Sequence, residues 1–356
     1  MNEQQALLRE SAVKLAREQG GPKRLRELRK DGLEMDSRAW KHFVEAGWLG
    51  TAVPEAGGGL GMGLFEVSLA IEEAGKNLLA LPITEATAAT WALSQGEGTR
   101  IPDDVMDGSS LLVPAFAQEG WLDASHAAPK LEGHRLSGTV RFVPYAASAQ
   151  KFLVLASDNR GPVLALVAKD ATRVSVATAA NVDGSTSSEV VFKEASAEVV
   201  ARGDAASRLA LQVRELLALG AGIELVGVSS AALDMTLEYI KVRHQFGKPL
   251  GSFQALQHRA ADCFVDVELN RSLAYRVYSA WDAGHCHPAM VAAVKARSSR
   301  GAMDVTRNAL QLHGAIGYTD EHDIGLYYKR AIVLAAMYGN EINQTGRFSR
   351  LTLAGA

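Results

Sequence analysis

Cysteine is scarce in this chain, with only Cys263 and Cys286 among 356 residues. Two cysteines cannot supply the disulfide framework of a small secreted protein, so they indicate a reducing, cytoplasmic setting. An excess of one charge is also lacking, because 37 Lys and Arg residues stand against 40 Asp and Glu residues, a formal net charge of −3. This balance argues against a nucleic-acid groove or a polybasic membrane anchor as the main function.

Long apolar runs are lacking as well. No stretch approaches the roughly 18 uninterrupted apolar residues of a membrane-spanning helix, and the longest candidate, residues 216–225, is interrupted by glycines and an acid. The first five residues are polar and lack the basic patch and apolar run of a signal peptide. We therefore expect no signal peptide, no membrane span and a cytoplasmic protein.

What the sequence does contain is ordinary globular composition, 47% hydrophobic and 22% charged, which is enough for a sizeable core in two or three domains. Helical periodicity dominates residues 1–107, and long helical patterns return over residues 204–356. Between them, residues 108–203 hold short β-rich runs separated by turn sequences. The sequence thus predicts an α+β multidomain fold with an N-terminal helical domain, a central antiparallel barrel or sandwich and a C-terminal helical domain.

The predicted elements can be given individually. Amphipathic helices are expected at residues 3–18, 23–30, 36–46 and 64–76. The β-rich runs are residues 111–116, 135–143, 151–156, 163–168, 174–176 and 189–192. The later helices are expected at residues 205–243, 253–283 and 288–313, with a fourth from 327 to 336.

Two conspicuous motifs are poor ligand sites in their context. The glycine-rich loop Gly57–Gly63 lacks the preceding central strand of a dinucleotide fingerprint, so a tight turn near a ligand and a purely structural turn are equally good interpretations. His285-Cys286-His287 has no further ligands at a suitable spacing, which favours an interhelical turn over a metal centre. We predict no metal site.

Two C-terminal segments carry residues suited to a ligand with phosphates and a ring. In the first, Arg243 lies at a predicted helix end beside Phe246 and a Gly-Lys-Pro turn, and an arginine there suits a diphosphate. In the second, Gln311 offers a hydrogen bond and the following glycines allow a backbone to approach a ligand closely. Taken alone, each segment is better explained as a helix C-terminus with its terminating glycine.

Together the two segments resemble the acyl-CoA dehydrogenase family, in which an R-x-x-F-G and a Q-x-x-G-G-x-G-Y segment flank the flavin. The similarity extends over nearly the whole chain and includes the stretches at residues 47–55 and 58–61. It implies a helical domain, a β-barrel and a four-helix bundle, with FAD between the β-domain and the bundle. The implied FAD contacts are Arg243, Phe246 and Gln254 on the adenosine diphosphate arm, and Gln311, Gly314 and Ala315 from the neighbouring subunit.

The resemblance also implies an activity and partners. The family desaturates an acyl-CoA between its α and β carbons: a carboxylate removes the α-proton while a hydride leaves the β-carbon for the flavin. A cofactor reached from two subunits requires a dimer or tetramer, formed by this chain alone or with a related subunit. The expected electron acceptor is an electron-transfer flavoprotein or a similar protein.

The catalytic base is where this sequence departs from the family. Counting from Gln311, the usual Glu falls on Tyr338, and the phenol of tyrosine, with a pKa near 10, is a poor base at neutral pH. Some relatives carry the Glu on the first long C-terminal helix, where this chain has Leu217, and Glu215 points about 200° away. The candidate base that remains nearby is Glu341.

The central domain departs from the family at two further places. The T-E-P-x-x-G-S-D loop that covers the flavin and substrate is replaced around residues 115–120, and the tryptophan near the flavin appears as Phe142. The sequence therefore predicts an FAD-dependent acyl-CoA dehydrogenase, acting alone or as one subunit of a heteromeric enzyme. The alternatives are a non-catalytic subunit that holds FAD or is purely structural, and a flavin monooxygenase on the same fold.

Overall fold

A computed structural model describes residues 2–96, 100–116, 128–170 and 172–353. Its contacts divide the chain into two compact units, each assembled from separate stretches. One unit comprises Met1–Arg26, Ser68–Leu79 and Ala218–Ala356, and the other comprises Glu27–Val67 and Ala80–Leu217. The order along the chain is the predicted one, with helices, then strands, then helices. The exact domain boundaries at residues 107 and 203 stay a prediction.

The unit that contains the strands has its own helices and a buried aromatic cluster. Its helices are α2 (Pro22–Lys30), which begins in the other unit, α3 (Ser37–Glu45), α5 (Ile83–Ser94) and α6 (Asp103–Met106). Asp36 caps the start of α3, and its carboxylate accepts hydrogen bonds from the backbone N–H groups of Arg38 and Ala39. Trp40 and Phe43 of α3 stack in series with Trp48, and all three rings are buried.

Seven strands form the sheet of this unit. They are β1 (Leu112–Ala115), β2 (Lys130–Glu132), β3 (Arg135–Val143), β4 (Lys151–Asp158), β5 (Gly161–Ala168), β6 (Val174–Ala180) and β7 (Thr186–Arg202). The pairing order β4-β2-β3-β7-β5 returns to β4, so these five strands close a barrel, while β6 pairs with β7 and β1 with β4.

The predicted barrel is confirmed, but the prediction that it is antiparallel is wrong at two pairings, because β4 runs parallel to both β1 and β2. Strands β1 and β4 run parallel, with Leu112 opposite Lys151 and Ala115 opposite Val154. Because β2 and β3 lie between them in the chain, the connection is long enough to return β4 in the direction of β1. The structure also adds β2, and it extends the predicted run at 189–192 to the 17 residues of β7, which pairs in turn with β6, β3 and β5.

The other unit consists of helices. They are α1 (Glu3–Gln19), α4 (Leu64–Lys76, in this unit from Ser68), α7 (Gly203–Val242, in this unit from Ala218), α8 (Gln254–Asp282), α9 (Pro288–His313), α10 (Ile324–Ala336) and α11 (Glu341–Leu353). Helix α9 packs against α8, α10 and α11. Helix α11 was not predicted, and α10 begins three residues before the predicted Tyr327.

Helices α4 and α7 approach each other through glycines. A Cβ on Gly75 would lie 2.4 Å from the Glu224 carbonyl oxygen, and one on Gly227 would lie 2.0 Å from the Glu72 carbonyl oxygen, so only glycine fits at both positions. Glu72 itself is buried and accepts hydrogen bonds from Arg271 and Tyr275 of α8. Burial alone would raise the pKa of Glu72, but Lys76 and Arg271 hold it below its ordinary value.

Helix α7 is long and apolar enough in composition to cross a bilayer, but most of its apolar window is buried inside the protein. An apolar stretch with this burial is typical of the core helix of a globular protein.

Candidate functional site

The two segments singled out in the sequence meet in the helical unit. Ile240 near the end of α7, Ala260 in the second turn of α8 and Leu312 at the end of α9 form one buried apolar cluster. Leu237, Tyr239, Leu250 and Leu256 pack against it. The apolar contacts therefore bring together the C-terminal ends of α7 and α9 and the N-terminal end of α8, which are the elements that carry the predicted FAD contacts.

A stacked ring pair fixes the ends of α7 and α9 against each other. The rings of Tyr239 and His313 lie 4.4 Å apart and nearly parallel, and the Tyr239 hydroxyl donates a hydrogen bond of 3.3 Å to the His313 carbonyl oxygen. The His313 Nδ1 lies 2.8 Å from the Ala309 carbonyl oxygen, and burial lowers the pKa of this imidazole. His313 is therefore neutral at pH 7, with Nδ1 as the donor.

The Arg243 segment forms an exposed hairpin. Helix α7 ends at Val242, and the two-residue strands β8 (His244–Gln245) and β9 (Lys248–Pro249) pair antiparallel directly after it. Phe246 and Gly247 form the turn with φ of +55° and +79°, which is the type I′ geometry that two-residue hairpins favour. Gly247 suits the left-handed region, whereas Phe246 is a bulky side chain held there at a cost in free energy.

Arg243 and Phe246 both face solvent in the isolated chain. The Phe246 side chain is 88% exposed and touches Phe253 only edge-on, with ring centroids 6.2 Å apart. Lys248 places its Nζ 4.3 Å from the centroid of the same Phe253 ring. Arg243 is exposed and makes no ion pair with any residue in the described part of the chain, so its guanidinium is available to an anion.

The other predicted contacts lie at helix ends. Gln254 is exposed at the first position of α8, where backbone N–H groups lack intrahelical partners. Gln311 is exposed in the last turn of α9, and Gly314 ends that helix with φ +65° and ψ −143°, a conformation open essentially to glycine alone. Ala315 is exposed in the 3-10 turn that follows.

These positions together suit an anionic ligand that carries a ring. They combine an exposed guanidinium, an exposed aromatic ring, two side-chain amides and a glycine turn that a ligand can approach closely. A dinucleotide such as FAD has the matching diphosphate and adenine. The residues present therefore fit the arm of the cofactor that the sequence analysis assigned to them, and their individual roles stay predictions.

The position of the family's base lies in the turn between α10 and α11. Tyr338 is buried and, like Gly339, has a positive φ, +55° and +89° respectively. Asn340 accepts a hydrogen bond from the Asn343 backbone N–H and so caps α11. Glu341 begins α11, is half-exposed, and lies 3.8 Å from the Arg300 guanidinium of α9.

The alternative base position on α7 offers no accessible carboxylate. Leu217 is buried there, and Glu215 is buried and engaged with other groups. Phe142, at the position of the family's tryptophan, is half-exposed with φ +59° beside a register shift of β3. Of the stretch that replaces the family's flavin-covering loop, residues 117–120 lie outside the described residues, and Phe116 is buried.

The backbone hydrogen bonds of the glycine-rich loop at residues 57–63 are those of a structural turn. The N–H groups of Gly57, Gly58 and Gly59 donate to carbonyl oxygens of Pro54 and Glu55, and those of Leu60 and Gly61 donate to Gly50 and Val53. With these donors satisfied within the loop, the backbone has none left there to cradle a phosphate. Both cysteines are free thiols, and the described ranges contain no group of three or more His, Cys, Asp or Glu residues that could hold a metal ion.

Sequence reasoning missed Tyr239, His313 and Lys295. Tyr239 lies one helical turn before Arg243, and His313 lies between Gln311 and Gly314, so their place beside the two motifs was the available signal. Lys295 is a lysine in an apolar stretch of α9, and the structure buries it completely.

Comparison with known proteins bears directly on this site. A family model described as the acyl-CoA dehydrogenase N-terminal domain matches residues 2–95, and one described as the C-terminal domain matches residues 208–350. The chain is 29% identical over 350 residues to acyl-CoA dehydrogenase IpdE2 of Mycolicibacterium smegmatis, and the match covers 98% of each protein.

Two solved structures share the fold over nearly the full length. One is a variant of the Tcur3481-Tcur3483 steroid ACAD, with a TM-score of 0.89, 28% identity, and coverage of 99% of this chain and 98% of that one. The other is the ChsE4-ChsE5 complex from Mycobacterium tuberculosis, with a TM-score of 0.89, 26% identity, and coverage of 100% and 98%. With family models matched at both ends and a common fold throughout, the chain belongs to the acyl-CoA dehydrogenase family, whose members are flavoprotein oxidoreductases acting on CH–CH groups.

Proposed function

We propose that this chain is an FAD-binding subunit of an acyl-CoA dehydrogenase that desaturates an acyl-CoA thioester between its α and β carbons. The observation that carries the proposal is Phe246, a bulky residue that is 88% exposed and held at φ +55° near the exposed Arg243. Neither the exposure nor the left-handed backbone stabilises the isolated chain, so both indicate a ligand or partner that covers the ring.

The proposed roles of the six contacts follow from their chemistry. The Arg243 guanidinium pairs with the cofactor's diphosphate, Phe246 packs near the adenine, and Gln254 hydrogen-bonds the same arm. Gln311, Gly314 and Ala315 approach the cofactor bound to the neighbouring subunit. Bound FAD supplies the electron sink for the hydride that leaves the β-carbon, and an electron-transfer flavoprotein or similar protein is the proposed acceptor.

A dimer or tetramer is part of the proposal. Helix α8 exposes Phe264, Val265 and Leu269, each to more than half of its full surface, and Tyr318 is also exposed. Exposed apolar side chains grouped on one helix are typical of a protein interface. The ChsE4-ChsE5 structure is a complex of two differently named proteins, which supports a related subunit as the partner of this chain.

The source of the proton-abstracting base decides whether the enzyme needs only this chain or also a related subunit. Tyr338 stands at the family position, so the proposed base is either Glu341 of this chain or a carboxylate of a related subunit. The ion pair of Glu341 with Arg300 and the burial of Tyr338 favour the related subunit. The same two observations favour the second candidate function, a subunit that holds FAD without supplying catalytic groups.

Two finer features belong to the proposal as well. Four of the helices among α7–α11 would form the family's four-helix bundle, supported by the packing of α9 against α8, α10 and α11. A cytoplasmic location is supported by the two free cysteines.

The central test is flavin occupancy. Purified protein, alone or with a co-expressed related subunit, should carry FAD by its visible absorbance and reduce a dye acceptor when given an acyl-CoA. Substituting Arg243→Ala should remove most of the flavin, because one charge-assisted diphosphate contact contributes about 1.5–3 kcal/mol, or roughly tenfold or more in affinity. Arg208→Ala, at an exposed arginine of α7, is the matched control and should retain it. A colourless protein that cannot be reconstituted in either preparation would contradict the proposal.

A second substitution locates the base. If a related subunit supplies the carboxylate, Glu341→Gln should leave turnover of the complex within about twofold of the parent. If Glu341 is the base, the same change should lower kcat by about 10²–10⁴, the usual contribution of a positioned general base. Flavin content measured in the same samples separates loss of the base from loss of the cofactor.

A further inference from the structure

Lys295 of α9 is completely buried, yet it contacts no carboxylate among the described residues. Its Nζ lies 2.9 Å from the Ser299 Oγ, 3.1 Å from the Ala335 carbonyl oxygen and 3.0 Å from the Gly339 carbonyl oxygen. Burying an ammonium group is costly unless hydrogen bonds compensate it. Three acceptors match the three N–H donors of the charged side chain.

One of these acceptors lies in the last turn of α10, and another lies in the turn between α10 and α11. The Ala335 carbonyl lies in the last turn of α10, where carbonyl groups lack intrahelical partners. Gly339 directly follows Tyr338, and both residues are left-handed. From the other side, the buried Gln344 of α11 donates its Nε2 hydrogen to the Tyr338 carbonyl oxygen at 2.8 Å. Buried polar side chains of α9 and α11 therefore hold consecutive carbonyl groups of this turn.

We propose that Lys295 is a positioning residue that fixes the turn at residues 337–341, which carries the position of the family's catalytic base. The inference deepens the proposed function, because the importance of this turn rests on that function. The hydrogen bonds that hold the turn do not depend on that function. A positive φ at a tyrosine costs free energy, and hydrogen bonds to the carbonyl groups of Tyr338 and Gly339 oppose relaxation of the turn.

The three contacts persist in both protonation states of the amine. Burial lowers the pKa of Lys295 to about 7. When charged, the amine donates to Ser299 and to both carbonyl groups. When neutral, it can donate to the two carbonyl groups and accept from the Ser299 hydroxyl, because a hydroxyl serves as donor or acceptor. Because the pKa of the buried amine lies below that of a hydrated lysine, opening the turn to water takes up a proton above pH 7, so the turn should be held more firmly above pH 7 than below it.

Several charged side chains on the elements packed around Lys295 pair with one another. Glu224 of α7 pairs with Arg330 of α10 at 2.6 Å, and Glu341 of α11 pairs with Arg300 of α9 at 3.8 Å. Arg347 of α11 also has interactions of its own. The closest polar groups to Nζ are thus a hydroxyl and two carbonyls, and the proton on Lys295 is the charge that changes in the turn near neutral pH.

Hydrogen exchange measured by mass spectrometry tests this inference on the purified full-length protein. In the parent, protection of the peptide that contains residues 337–344, corrected for the intrinsic rate at each pH, should rise between pH 6 and pH 8.5. Lys295→Met keeps the length of the side chain and removes the donors. It should lower protection of this peptide about tenfold or more at pH 8.5 and abolish its pH dependence, while β7 peptides stay unchanged.

Ser299→Ala is the second variant, needed in case Lys295→Met does not fold. Removing the hydroxyl leaves one N–H of the charged amine without an acceptor, so the pH transition of the turn should move below that of the parent. Unchanged protection of the turn in both variants, or an equal loss across α8, α9 and α10, would overturn the inference. Neither flavin nor substrate enters this measurement, so failure of the proposed function appears separately, as missing flavin in the same samples.

Discussion

At the scale of single residues, the buried amine of Lys295 links stability to pH. An unfolded lysine keeps its proton up to a pKa near 10.5, whereas burial brings the pKa of Lys295 in the folded protein to about 7. Between these values the unfolded state binds more protons than the folded state. The contribution of Lys295 to the free energy of unfolding therefore rises with pH between about pH 7 and pH 10.5, and it is constant below pH 7.

We accordingly expect Lys295→Met to remove a positive slope from the pH profile of stability. The slope contributed by one such group is at most about 1.4 kcal/mol per pH unit. Urea denaturation of parent and variant at intervals from pH 6.5 to pH 9.5 measures the difference. Parallel profiles over this range would show that the amine does not titrate there.

Some residues of the candidate site and its surroundings could be identified from the sequence, and others could not. Arg243 and Gln311 could be singled out because each belongs to a compact motif with recognisable spacing. The Tyr239–His313 pair could not, since its members lie 74 positions apart and nothing local specifies a stacking partner. Lys295 was missed for a different reason. A lysine is ordinarily exposed, and only the packing of three helices buries this one.

At the scale of elements, the ends of the helices carry the candidate site and their interiors carry stability. Gly314 ends α9 in a backbone region that essentially only glycine adopts, and a Cβ there would meet open space, so the cost of replacing it is purely conformational. Gly346 lies inside α11 with an ordinary φ, and a Cβ there would meet nothing closer than 4.0 Å.

These two glycines should therefore respond in opposite directions to alanine. Gly314→Ala should lower the free energy of unfolding by about 1–3 kcal/mol. Gly346→Ala should raise it by about 0.5–1 kcal/mol, because alanine favours a helix interior. Chemical denaturation at one pH measures both changes. A gain in stability from Gly314→Ala would show that this helix end does not have the described conformation.

The sequence predicted that strands and helices form where the local pattern is strong, but it did not predict which strands pair. Their β-rich composition and the turn sequences around them located β3 and β5 within a few residues. The parallel β1–β4 contact depends on which strands lie between them, and the 17-residue β7 changes partners along its length, which no local pattern records. Helix α11 follows two left-handed residues, and that break obscured its start.

At the scale of the whole molecule, α8 carries the prediction about assembly. Leu269 is 54% exposed beside Phe264 and Val265. Leu269→Asp should raise the dissociation constant of the oligomer about tenfold or more, because a carboxylate loses its hydration in an apolar interface. Sedimentation velocity over a dilution series measures the shift. Leu7→Asp, at the exposed Leu7 of α1, is the control and should leave the mass unchanged. Equal dissociation in both variants would argue against an interface on α8.

The discontinuous make-up of the helical unit has a consequence for biosynthesis. Its first stretch ends at Arg26, whereas its last begins at Ala218 and runs to the C-terminus. Helix α1 therefore leaves the ribosome long before α8 to α11 exist, while the barrel unit is complete once residue 217 has emerged. Nascent chains should acquire the barrel unit before the helical unit can be completed.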